Sequence, residues 1–233
     1  MSETGVWIVR GSDDVLRGEA VSTLVDRLGS MPQGFAITVP DPSALAAYVE
    51  YLHNLGELVM FALVIAYGGI VSSEVRNGTA ALALAKPLSR GAFVFAKWLS
   101  QLLVIAVAAV VATAVCIALT AVLLGAGPAS EAVAAVALWF VYAIVILSAM
   151  VLLSAVLPAP AAAAGAGIGV YASFAILAQF EATSRITPAG LMPAAQAVLN
   201  GEPAHWQAPV ATGIAVSAAC LTAAVWRFMR REI

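Results

Sequence analysis

The 233-residue chain is 62% hydrophobic and only 10% charged, with a formal net charge of −2. A soluble domain carries about 25% charged and about 45–50% apolar residues, so a water-soluble fold of this length would have far too much apolar surface to hide. The small net charge and the absence of a clustered basic patch argue equally against a nucleic-acid partner.

The chain opens polar. Its first fifty residues hold seven acids and three arginines and no apolar run of signal-peptide length. Residues 1–54 are therefore expected to form one extracytoplasmic segment, and residues 55–233 a membrane domain. A helix needs about 20 mostly apolar residues to cross the hydrocarbon. Five segments qualify, at about 55–73, 102–124, 132–157, 161–180 and 209–226. All five are expected to be helices, because a lone strand would leave its backbone groups unpaired in lipid. The fold class is thus an all-α integral membrane protein, a polytopic helical bundle.

Lysine and arginine positions set the orientation. Arg76, Lys86, Arg90 and Lys97 lie between the first two spans, and Arg227, Arg230 and Arg231 follow the last. The opposite side has only Arg185, beside Glu131, Glu181 and Glu202. The first connecting loop and the C-terminus are therefore expected to be cytoplasmic, which puts the N-terminal segment outside. Fifty polar residues would then cross with no span ahead of them, so a first span is expected upstream of Met1.

Within the spans, charge is nearly absent. Glu57 is the one acid, placed near the outer end of the first span, and His53 and His205 flank spans on that side as interfacial residues. Ion-driven carriers keep charged residues near mid-membrane, and none is seen. Cys116 and Cys220 lie in long apolar runs and read as small buried side chains. No metal set, nucleophile motif or phosphate loop occurs, so a membrane enzyme is the weakest reading and any energy for transport must come from elsewhere. The fourth span carries Gly165, Gly167 and Gly169. Gly165 and Gly169 share a face, which suits tight packing in the bundle or an interface between copies.

The distinctive stretch is SSEVRNGTAALALAKPLSRGAFVFAKWLSQLL, residues 72–104. Asn77-Gly78 signals a turn, Thr79 to Ala85 favours a short helix, and Pro87 ends it. Ser89 can cap a second helix starting near Gly91, which sets Phe93, Phe95, Lys97 and Trp98 at the membrane surface before the next span. From the residues alone the loop is either a surface lever tethered to two spans or a basic loop that only fixes topology.

This stretch resembles the type-two permeases of the ABC transporter superfamily. Their pattern is a Glu, then Gly-Thr, an apolar stretch, Lys-Pro-x-Ser-Arg and a later Lys. Here it is met by Glu74, Gly78, Thr79, Lys86, Pro87, Ser89, Arg90 and Lys97, with Arg76 inside it. The proline-containing segment 40–58 and the basic ending WRFMRREI are also similar to the family, so the likeness runs from about residue 35 to 233. It implies six spans, of which the five seen here are the second to sixth. It also implies a cytoplasmic coupling region at 74–98 and an outer re-entrant-like hairpin at 181–207. Further, it implies a homodimer or a paired second permease in the cell inner (plasma) membrane, probed from the cytoplasm by an ABC ATPase subunit. ATP and Mg would be bound by that partner, and this chain would need no cofactor. The function implied is that of a permease subunit, an exporter by family habit. The competing classes are a non-transporting membrane anchor or assembly subunit, and a secondary transporter or channel.

Overall fold

The computed structural model describes Ser22, residues 43–73 and residues 90–230, with Arg90 described by its backbone only. Contacts divide the chain after Asp41, and the fold that follows is that of the unit Pro42–Ile233. The described residues are mostly helical, with no strand among them. Five helices are long and apolar enough to cross a membrane: α1 (Ala44–Tyr67), α2 (Arg90–Leu124), α3 (Ala129–Val156), α4 (Pro160–Leu177) and α7 (Gln207–Met229). Between α4 and α7 come a single turn, α5 (Glu181–Ser184), a 3₁₀ turn (Pro188–Gly190) and the short helix α6 (Leu191–Leu199).

Local chemistry sets most of these ends. Ser43 begins α1, its Oγ accepting from the Ala46 N–H at 3.1 Å. The sequence places the start of this span near Leu55, but capping by Ser43 and the burial of Tyr48 and Leu52 carry the helix back to Ala44. The chain leaves α2 through Gly125 and leaves α6 through Gly201, both at positive φ, where a side chain would be strained. Leu157 precedes Pro158 and is extended, which stops α3, and Pro160 occupies the first turn of α4. The surface helix and second span expected as two pieces are one unbroken 35-residue helix, α2. No proline or glycine after Gly91 interrupts it before Gly125.

α3 is the centre of the bundle. In its most apolar stretch 61% of the residues are buried, against 11–28% for the other four spans. It is apolar all round, as a helix enclosed on every side should be. α6 lays Leu191, Ala194, Ala195 and Leu199, one stripe at helical spacing, into this core. The hairpin between α4 and α7 is thus folded onto the bundle.

Small residues allow the closest approaches. A Cβ on Gly68 would lie 2.8 Å from both the Pro160 carbonyl oxygen and the Ala164 Cβ, so α1 and α4 meet there backbone to backbone. Within α4 it is Gly167 that packs inward, against Met150 and Val64. Gly165 and Gly169, which share a face by spacing, have nothing among the described residues within 4 Å of where a Cβ would be, so that face packs against none of them. A cleft of about 430 Å³ separates α2 from α3, lined by Ala109, Val110, Ile117, Val136 and Phe140 among others. Tyr51 of α1 reaches its border, hydroxyl to hydroxyl with Thr113 at 3.0 Å.

Candidate functional site

α1 ends and α2 begins at the same end of the bundle, and the segment between them carries the sequence-derived site. Glu74, Arg76, Gly78, Thr79, Lys86, Pro87 and Ser89 lie outside the described residues. Arg90 opens α2, and Lys97 is half-buried one position before Trp98. What the structure places is the hold on each flank of that segment.

The upstream flank is held by Ser154 of α3. Its Oγ accepts from the backbone N–H of Val71 and of Ser72, both at 3.0 Å, and lies 3.3 Å from the Ser72 hydroxyl, to which it donates. Val71, Ser72 and Ser154 are all buried. These N–H groups stand where the α1 ladder gives way to turns at Gly68–Val71, so they have lost their helical acceptors and need others. One hydroxyl supplies both.

The downstream flank is held by the same helix, two turns earlier. The Trp98 indole N–H donates to Ser148 Oγ at 3.0 Å, and that hydroxyl donates to the Ile144 carbonyl at 2.7 Å. One turn before Trp98, Phe93 stacks on Phe228 of α7, with ring centroids 5.6 Å apart and planes 16° apart. Val94, Ala224 and Phe228 are buried around this contact, and Gly91 sits close enough to Val225 that a Cβ would be 3.2 Å from it. Phe93 and Trp98 therefore anchor inward rather than at a lipid surface. Past the end of α7, the Arg230 guanidinium lies 4.0 Å over the Trp226 ring. Ser148 and Ser154 are six residues apart, ~9 Å along α3 at 1.5 Å per residue. The described flanks of segment 74–89, at Val71–Ser72 and at Trp98, are thus both fastened to a short length of the most buried helix.

Sequence reading missed these two serines. The available signal was their setting: in the run SAMVLLSAV a hydroxyl in lipid or core must find a partner.

The opposite end, under the hairpin, holds a second polar feature. α1 widens to a π turn at Leu55–Val59, a local irregularity common at functional positions. Two carbonyls of that turn accept from other spans: Leu55 from the buried Trp139 indole and Gly56 from the Tyr171 hydroxyl, each at 2.9 Å. Beside it lies a cavity of about 190 Å³ bounded by α1, α3, α4 and α6, with His53 and Glu57 on its α1 wall. His53 Nε2 and the Glu57 carboxylate are 3.2 Å apart. Among the described residues no group of three His, Cys, Asp or Glu side chains comes together, so the arrangement is not a metal cage.

The family model described as ABC-2 family transporter protein matches residues 55–195, from the π turn through α6. No curated protein and no solved structure matches the chain.

Proposed function

Since the chain belongs to the ABC-2 transporter family, whose members are membrane subunits and not themselves ATPases, we propose that it is a permease subunit driven by a separate ABC ATPase. Its multi-pass helical bundle is the permease. The ATPase binds ATP and Mg, docks on the cytoplasmic side against segment 74–98, and acts on a pair of permeases, two copies of this chain or one with a second permease. Export across the cell inner membrane is the direction proposed.

One observation carries the mechanism: α3 holds both flanks of segment 74–89, through Ser154 upstream and Ser148 with Trp98 downstream. A push on that segment cannot be absorbed by one loose end. It reaches α3, and through the α3 core contacts it reaches α7 and α6. The spans then move as packed bodies, as bistable interfaces do. Glu74 and Arg90 are assigned to the contact with the ATPase, and the C-terminus lies on the same side.

The test is reconstitution of the full chain with its ATPase in vesicles. A Glu74→Ala, Arg90→Ala double variant is expected to insert normally, retain ATP hydrolysis and lose coupled flux. Normal flux in that variant, or labelling that finds Lys86 outside, would refute the mechanism. Recovery of the chain from membranes with no nucleotide-hydrolysing companion would favour the non-transporting anchor instead.

A further inference from the structure

The cavity under the hairpin takes no part in the coupling described above. From its walls we infer that it is a binding site for a small organic cation, an alkylammonium group.

Depth comes first. Tyr142, on its α3 wall, lies twelve residues before Ser154, the anchor at the loop end, which is ~18 Å along the helix. The hydrocarbon layer is ~30 Å thick. The cavity therefore lies toward the hairpin end of the bundle, within the lengths of the apolar spans α1, α3 and α4. An ionisable group there is costly unless it faces a polar space or has a partner, and such groups mark ligand or ion paths. Glu57 is that group. Its side chain is 63% exposed and that of His53 is 50% exposed, so the pair is an open gate to the cavity rather than a buried structural bridge.

The interior is aromatic. Tyr142 and Phe174 meet at 6.1 Å between centroids, and Tyr171 is held on the adjoining wall by its bond to Gly56. Aromatic rings beside one carboxylate suit a positive, weakly hydrated head group. Tyr142 is only 3% exposed, and among the described residues its hydroxyl makes no hydrogen bond. No fully enclosed side-chain polar atom is left unpartnered among the described residues, so this oxygen keeps some accessible surface, and Tyr142 lines the cavity. Gln196, on α6, also lines the cavity. An anion is disfavoured, since His53 is the one basic side chain on the lining and it faces Glu57. The cavity volume of about 190 Å³ leaves room for a small head group.

Such a group could arrive as a free amine or as the head group of a lipid. The experiment titrates tetramethylammonium chloride into the full-length chain in maltoside micelles, against sodium chloride at equal ionic strength, by calorimetry. Saturable one-to-one binding is expected. Glu57→Gln should weaken it at least tenfold and Phe174→Leu about fivefold, both with unchanged helix content, while tetrabutylammonium should not fit. In nanodiscs, competition by phosphatidylethanolamine but not by phosphatidylglycerol assigns the site to a lipid head group; no competition by either assigns it to a free cation. Absence of saturable binding, or equal binding by Glu57→Gln and the parent, overturns the inference. No ATPase is present in this assay, so its failure would leave the transport reading standing, and the reverse.

Discussion

Replacing Ser154 with alanine removes one oxygen atom and leaves two buried N–H groups, those of Val71 and Ser72, with no acceptor. Both residues are at most 2% exposed, so water cannot take its place without opening the structure. An unsatisfied buried donor costs about 1–3 kcal/mol, which for two gives about 2–6 kcal/mol. Side-chain hydrogen bonds between membrane helices have averaged nearer 0.6 kcal/mol, which sets a floor of about 1.2 kcal/mol for the pair. At 1.4 kcal/mol per tenfold, even the floor is a roughly sevenfold change in the equilibrium for opening the exit of α1. The direct assay is hydrogen–deuterium exchange at the Val71 and Ser72 amides in the detergent-solubilised full chain. Their protection is expected to fall at least about sevenfold in Ser154→Ala, while amides in the middle of α3 stay protected. Ser173→Ala is the control, because Ser173 is exposed and bonds only to the Gly169 carbonyl in its own helix. Unchanged protection at Val71 and Ser72 would refute the claim that Ser154 holds this flank, and with it the two-ended grip on segment 74–89.

Two further substitutions probe the hairpin end. Trp139→Phe keeps most of the buried ring but strips the donor from the Leu55 carbonyl, and should cost about 1–3 kcal/mol in a reversible unfolding titration. Combined with Tyr171→Phe, which strips Gly56, the pair should depart from additivity by at least about 0.5 kcal/mol, since both act on one π turn; strict additivity would show that the turn is not held as a unit. A Cβ at Gly190 would overlap the Ser184 carbonyl, which is backbone and cannot swing aside. Gly190→Ala should therefore destabilise the hairpin by ~2 kcal/mol or more, seen as earlier proteolysis between α5 and α6, and cleavage at the parental rate would count against that contact.

The number of spans was legible because hydrocarbon demands long apolar runs, and nothing else in a chain of this kind supplies them. The helix ends were less so. Tyr48, Tyr51 and Glu50 look like loop residues by polarity, yet packing of Tyr48 against the core and the Ser43 cap make them helical. The glycines of α4 show the same limit: spacing singles out Gly165 and Gly169, but which face meets a neighbour is decided by how the helix is rotated, and it is Gly167 that is turned inward. For the coupling segment the sequence carried more than the structure, since most of its motif residues lie outside the described residues, while the fastening of its flanks to Ser148 and Ser154 is a matter of three-dimensional register. The cavity under the hairpin was invisible in sequence. Its walls come from four helices, and only Glu57 and His53, set one turn apart, hinted at it.

The unequal lengths of the helices bear on where the protein can work. α2 has 35 residues and α4 has 18, ~52 Å against ~27 Å at 1.5 Å per residue. No single bilayer matches both. A sheet of lipid thick enough to bury α2 upright would strand the ends of α4, and one fitted to α4 obliges α2 to lean or to project. Chain length and fluidity of the surrounding lipids thus act on this bundle as a mechanical load, applied unevenly to its two sides.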